Sequence, residues 1–160
     1  MPPVFLALIR YPSDSSIVSR LCELGCDVEI QYRYKIYGEE PPERVVRRLR
    51  EKGNYLAEQA EYATEEKTKN LAVEQAHDQY KTALKIARTE LLPTNTERLK
   101  LCYTISNFHT RVLGNFDKAM DFARRAIEDA AISGTCTDPE AGETLDRLRQ
   151  RMHDLQKNGI

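Results

Sequence analysis

The sequence has few of the features that announce a chemistry. Its 7 glycines are scattered along the 160 residues, so they make no glycine-rich loop to cradle a phosphate. The 4 cysteines, Cys22, Cys26, Cys102 and Cys136, have no paired zinc-ligand spacing, and nothing resembling a signal peptide precedes them. A reduced, cytoplasmic chain is the simplest reading. The apolar run from Val4 to Ile9 follows Pro2 and Pro3 and falls well below the roughly 20 residues needed to cross a bilayer. Neither charge dominates: 24 Lys and Arg face 25 Asp and Glu, which argues against nucleic acid or an anionic membrane as a partner and leaves any charge-driven recognition local.

What is present is helical periodicity. With 41% hydrophobic and 31% charged residues, the chain is long enough for one soluble domain with its own core. The pattern is clearest over Thr94 to Ile132. Thr94 and Glu97 have capping-box spacing and predict a helix start. Leu101, Ile105, Phe108 and Val112 then form one apolar stripe, and Gly114 supplies the stop. Asn115 can cap a second helix, in which Ala119, Ala123, Ala126 and Ala130 repeat the stripe with side chains small enough for close packing. Upstream, Pro41 and Pro42 suit the first turn of a helix carrying Val45, Leu49, Leu56, Ala60 and Ala63. Glu65 to Thr68 reads as a short polar connection. Ala72, Ala76, Tyr80, Ala83 and Ala87 mark the next helix, which stops before Pro93. Beyond a loop from Ser133 to Glu140, Leu145, Leu148, Met152 and Leu155 give the last. Short connections favour an up-down antiparallel array, so the fold class is mainly all-α.

Residues 1–36 are ambiguous. Val28, Ile30, Tyr32, Tyr34 and Ile36 alternate as a strand does, yet Ile17, Leu21, Leu24, Val28 and Tyr32 also fit one helical stripe.

The candidate sites are local. Glu74 and His77 have the Glu-x-x-His spacing of di-iron helices, but no second such pair exists, so no metal or cofactor is expected. His109 and His153 are isolated, and no nucleophilic triad can be built by spacing, which argues against an enzyme. Arg47 and Arg50 share a helix face and could hold a phosphate as forked donors; a solvated flank would look the same. Lys100, Thr104, Asn107 and Arg111 make a polar strip roughly 90° from the apolar stripe of their helix. Such a strip lines a groove if the array curves, and is otherwise a plain exposed face.

The run Lys52-Gly53-Asn54-Tyr55, continued through Ala60-Glu61, Ala63-Thr64 and Glu66-Lys67, resembles the middle of the 14-3-3 family, whose pattern there runs close to KGDYYRYLAEVATGEK. Leu92-Pro93-Thr94 with Arg98-Leu99 resembles the family segment ending in QPTHPIRL. Lys118-Ala119 through Ala123, Ala126 and Ala130-Ala131 is similar to its alanine-rich helix. Thr144-Leu145 with Arg151 echoes the closing signature, and Tyr34-Lys35-Ile36 could end the family's fourth helix. The resemblance is good over residues 43–132, weak over 138–157 and faint over 15–36.

This resemblance implies the last six of nine antiparallel helices, without the first three that make the family's dimer contact. It also implies one domain over 1–160, with 1–36 an atypical N-terminal segment. Family members bind phosphoserine or phosphothreonine motifs, so the resemblance implies an adaptor for phosphorylated or acidic peptide segments of protein clients. The usual phosphate ligands, however, are missing. The family's Arg-Tyr pair falls at Ala57 and Glu58, its groove Asn at Thr104, its closing-helix Asn at His153, and the chain has no Trp. In compensation, the family's groove Glu falls at Arg111. Lys100 and Arg111, with Thr104, Asn107, Arg50 and Arg47, are therefore the candidate ligand set. Faces uncovered by the absent helices imply self-association by a different route or partnership with another chain. The alternative is a tetratricopeptide-like interaction scaffold without phosphate dependence, since Gly114 to Ala130 resembles that repeat. No second copy follows at the 34-residue offset such arrays require.

Overall fold

The computed structural model describes residues 40–158. The chain divides after Pro42, and residues 43–160 form the larger unit. The expectations for residues 1–36, including a family-like helix ending at Ile36, lie outside the described residues.

The described residues form five helices: α1 (Pro42–Tyr62), α2 (Glu66–Glu90), α3 (Thr96–Arg111), α4 (Phe116–Ser133) and α5 (Pro139–Asn158). They build the all-α array that the stripes predict. The helix α3 is its centre, packing against α2, α4 and α5, while α4 also packs on α5. The core between α3, α4 and α5 is made by Leu99 and Cys102, by Ala123, Ala126 and Ala130, and by Ala141, Leu145 and Leu148. The alanines let α4 approach closely, so Leu99 and Leu148 are sealed almost completely. Burying each such leucine contributes about 1.5–3 kcal/mol. On α2, all five residues of the anticipated stripe, Ala72 to Ala87, are buried.

One staple crosses this core. Arg151 of α5 donates through Nε to Ser106 Oγ at 3.0 Å, through Nη2 to the Ser106 carbonyl at 3.2 Å, and also to Thr110 Oγ1. Ser106 Oγ in turn donates to the Ala119 carbonyl at 2.8 Å, so α3, α4 and α5 share one polar link. The guanidinium also sits 5.9 Å from the centre of the Tyr103 ring.

The corner between α3 and α4 follows the sequence. Gly114 sits at φ 62°, a left-handed conformation that suits glycine, and Asn115 N–H donates to the His109 carbonyl at 2.7 Å. Asn115 then caps α4, accepting from the Lys118 amide at 3.1 Å. The other end of α3 differs from expectation. Its cap is Asn95, not Thr94, because the Asn95 side-chain oxygen takes the amides of both Glu97 and Arg98. Glu97 therefore closes no capping box, and its carboxylate turns to α1 instead. Two other boundaries move as well. The helix α2 already starts at Glu66, and α5 starts at Pro139, with Asp138 Oδ1 accepting from the Glu140 amide at 3.1 Å. On α1 Val46 and Ala60 are fully buried, while Val45 and Leu49 are only partly covered, so the anticipated stripe holds at Ala60 and lies one residue off at the start of the helix, where Val46 replaces Val45.

Candidate functional site

A cleft of about 560 Å³ opens between α1 and α3, with residues of α2 and α5 completing it. The polar strip of α3 lines one wall: Lys100, Thr104, Asn107 and Arg111. From α1 come Arg50, Asn54, Ala57, Glu58 and Glu61. Tyr80 of α2 and Phe108 of α3 add aromatic surface, their rings meeting edge to face at 5.2 Å.

The position of α1 over α2 depends on Gly53. A Cβ built there would stand 2.5 Å from Tyr80 Cε1, closer than real carbons approach. Tyr80 is buried, and its hydroxyl donates to Asn54 Oδ1 at 2.7 Å. Burial holds its phenol well above the ordinary tyrosine pKa. The Lys-Gly-Asn-Tyr run thus contributes a missing side chain and an acceptor to one contact.

Each candidate cation of the cleft already faces a carboxylate. Arg111 Nη2 donates to both oxygens of Glu61 at 3.0 Å. Lys100 pairs with Glu140, and Arg147, also in the lining, pairs with Glu143 one turn away at 3.0 Å. Arg50 Nη2 donates to Glu97 Oε2 at 3.2 Å. Arg47 does not line the cleft; its Nε and Nη2 donate to Glu97 Oε1 at 3.0 and 2.7 Å. The fork anticipated for a phosphate is therefore closed on an internal carboxylate. The Glu97 side chain is only 5% exposed, so these three charge-assisted bonds replace the water it has lost.

Five of the six residues anticipated as a ligand set thus share one cleft, and Arg47 stands apart from it. The sequence reading missed their internal partners. Arg47 and Arg111 lie 50 residues from Glu97 and Glu61, and Lys100 lies 40 from Glu140, so periodicity within one helix gives no sign of the pairs. Ala57 and Glu58 also face the cleft. His153 is exposed on α5, and Glu74 and His77 are exposed on α2. No group of three or more His, Cys, Asp or Glu able to hold a metal comes together among the described residues. None of the described helices is long and apolar enough to cross a membrane.

Compared with known proteins, residues 30–158 match the family model described as 14-3-3 protein. Over 89 residues the chain is 37% identical to 14-3-3 protein zeta of Bombyx mori, covering 56% of this chain and 36% of that one. It is 33% identical over 113 residues to the 14-3-3-like protein GF14-12 of Zea mays, covering 71% and 43%. To 14-3-3 protein beta/alpha-B of Xenopus laevis it is 28% identical over 122 residues, covering 76% and 50%. The chain spans about a third to a half of the length of these relatives.

Proposed function

Because the chain belongs to the 14-3-3 family, we propose that it is a cytoplasmic adaptor, without a catalytic step, whose cleft takes an acidic or phosphorylated segment of a partner protein. The observation that carries this reading is the shared position of Lys100, Thr104, Asn107 and Arg111 along one wall. Two cations separated by two hydrogen-bonding side chains suit an extended peptide, whose backbone Thr104 and Asn107 can engage while Lys100 and Arg111 meet its acids.

The pairs around the cleft grade the cations by availability. Arg111 and Glu61 are both well exposed, at 63% and 34%, and Lys100 meets a carboxylate that is itself largely in water. Such pairs hold by about 0–1 kcal/mol and exchange readily for a ligand acid. Arg50 is 16% exposed and bound to a buried carboxylate, so it stays with Glu97. With Glu58 in the lining and the family's usual Arg-Tyr pair replaced, the acid is gripped weakly and its position is set by the α3 wall.

A second reading, peptide binding without any phosphate dependence, is favoured by the same prior pairing of the cations. Titrating a fluorescent phosphopeptide, its unphosphorylated form and a form with Glu at the modified position separates the two. Tighter binding of the charged forms, lost in Lys100→Ala/Arg111→Ala, supports the first; equal binding of all three overturns it. Self-association belongs to the proposal too, with sedimentation as a clean monomer the result against it.

A further inference from the structure

A second cleft, about 320 Å³, is lined by residues of α2, α3 and α4, none of which lines the first. Its volume is at the low end for small-molecule sites, roughly 300–1,000 Å³. Three cations enter it from two helices, Arg88 from α2 and Lys118 and Arg125 from α4. Its one lining carboxylate, Asp121, is already paired with Arg124. None of the three cations meets a carboxylate at ion-pair distance among the described residues. Lys118 also stands in the first turn of its helix, an end that favours acids over bases.

His109 forms part of the wall of this cleft. The residue is 5% exposed, its ring stacks on Phe122 at 5.3 Å and 17°, and it lines this cleft. Its Nδ1 is buried and has no hydrogen-bond partner. A buried polar atom left bare is rare, and each instance calls for a reason. Burial, then the charges of Lys118 and His77, hold the imidazole below its ordinary pKa of 6.5. The nearest ionisable surroundings are thus cationic from α2 and α4 alike, with Asp121 the exception.

We infer that this cleft is a binding site for a small phosphorylated anion, gripped by Arg88, Lys118 and Arg125, with the His109 imidazole in its wall. A phosphate group fits better than a carboxylate, since it brings about −1.5 to −2 charge and three acceptor oxygens to three cations. Guanidinium forks match its geometry. An anion here offsets the nearby positive charge that adds to burial in holding the His109 pKa down, so binding raises the pKa of that imidazole. This inference is independent of the peptide cleft.

The test follows the imidazole protons of the full chain by NMR at constant ionic strength, with the exposed His77→Asn and His153→Asn variants assigning the three histidines. Inorganic pyrophosphate and a sugar phosphate are the two probes, separating a bare anion from an ester. The expected result is a saturable shift of His109 with one or both, an upward move of its titration midpoint, and affinity weakened about tenfold or more in Lys118→Ala/Arg125→Ala. Arg149→Ala, exposed on α5 and outside both clefts, leaves the affinity unchanged. Circular dichroism checks that the variants, altered only at exposed side chains, keep their helices. The inference is overturned if neither probe gives saturation, if sodium chloride reproduces the shift, or if the double variant binds as the parent does.

Discussion

In the first cleft Arg50, Lys100 and Arg111 each reach a carboxylate of their own chain, whereas in the second Arg88, Lys118 and Arg125 reach none among the described residues. A cation of the first kind is part of the scaffold before it is part of a site. It costs the fold little to keep, and an incoming acid must displace its partner. Cations of the second kind repel one another, and a ligand that neutralises them stabilises the folded state directly. The difference teaches that a count of basic residues around a hollow says little about anion binding until the internal acids are counted too.

The comparison breaks most visibly at Glu97. Removing its carboxylate by Glu97→Ala leaves Arg50 largely buried without a partner, and the expected loss is about 3 kcal/mol by urea denaturation. An unchanged midpoint would mean that the pairs of the first cleft are incidental. Gly53→Ala comes next. Its Cβ would collide with Tyr80, and overpacking of about 1–3 kcal/mol outweighs the roughly 1 kcal/mol gained in helix propensity. The net loss should reshape the first cleft and leave the NMR signals of His109 close to their original positions.

The second cleft is sharpened by pH. The folded pKa of His109 lies below its ordinary 6.5, so between the two values the unfolded chain binds more protons than the folded one. Its contribution to stability is fully present above 6.5 and is lost as pH falls through that value towards the folded pKa. Thermal melts between pH 8 and 5 should show this decline, and pyrophosphate should reduce it. The smallest effect belongs to the exposed pairs. Arg111→Ala should change stability by no more than about 0.5–1 kcal/mol while weakening acidic peptides, so peptide affinity and melting temperature part company at that residue.

Much of the fold was legible because its signals are local. The stripes of α2 and α4 need only the helical period, and the Gly114–Asn115 corner needs only backbone chemistry. Errors arose where neighbouring residues offered the same chemistry. Thr94 and Asn95 are both competent caps; Asn95 takes the role, and Glu97 pairs with Arg47 and Arg50. Val45 and Val46 are likewise equivalent until a partner helix selects a face. The wall of the first cleft was readable as a strip on one helix. Its internal acids were not, since they come from other elements. His109 looked isolated for the same reason: the residues that give it meaning lie on α2 and α4.

Phe108 and His109 are consecutive residues of α3, yet one faces the first cleft and the other the second. Tyr80, Phe108, His109 and Phe122 touch ring to ring, at 5.2, 5.9 and 5.3 Å, so the two hollows share a party wall a single helix thick. A roll of α3 about its axis would carry both residues together, and neither hollow could be remodelled there without the other registering the turn.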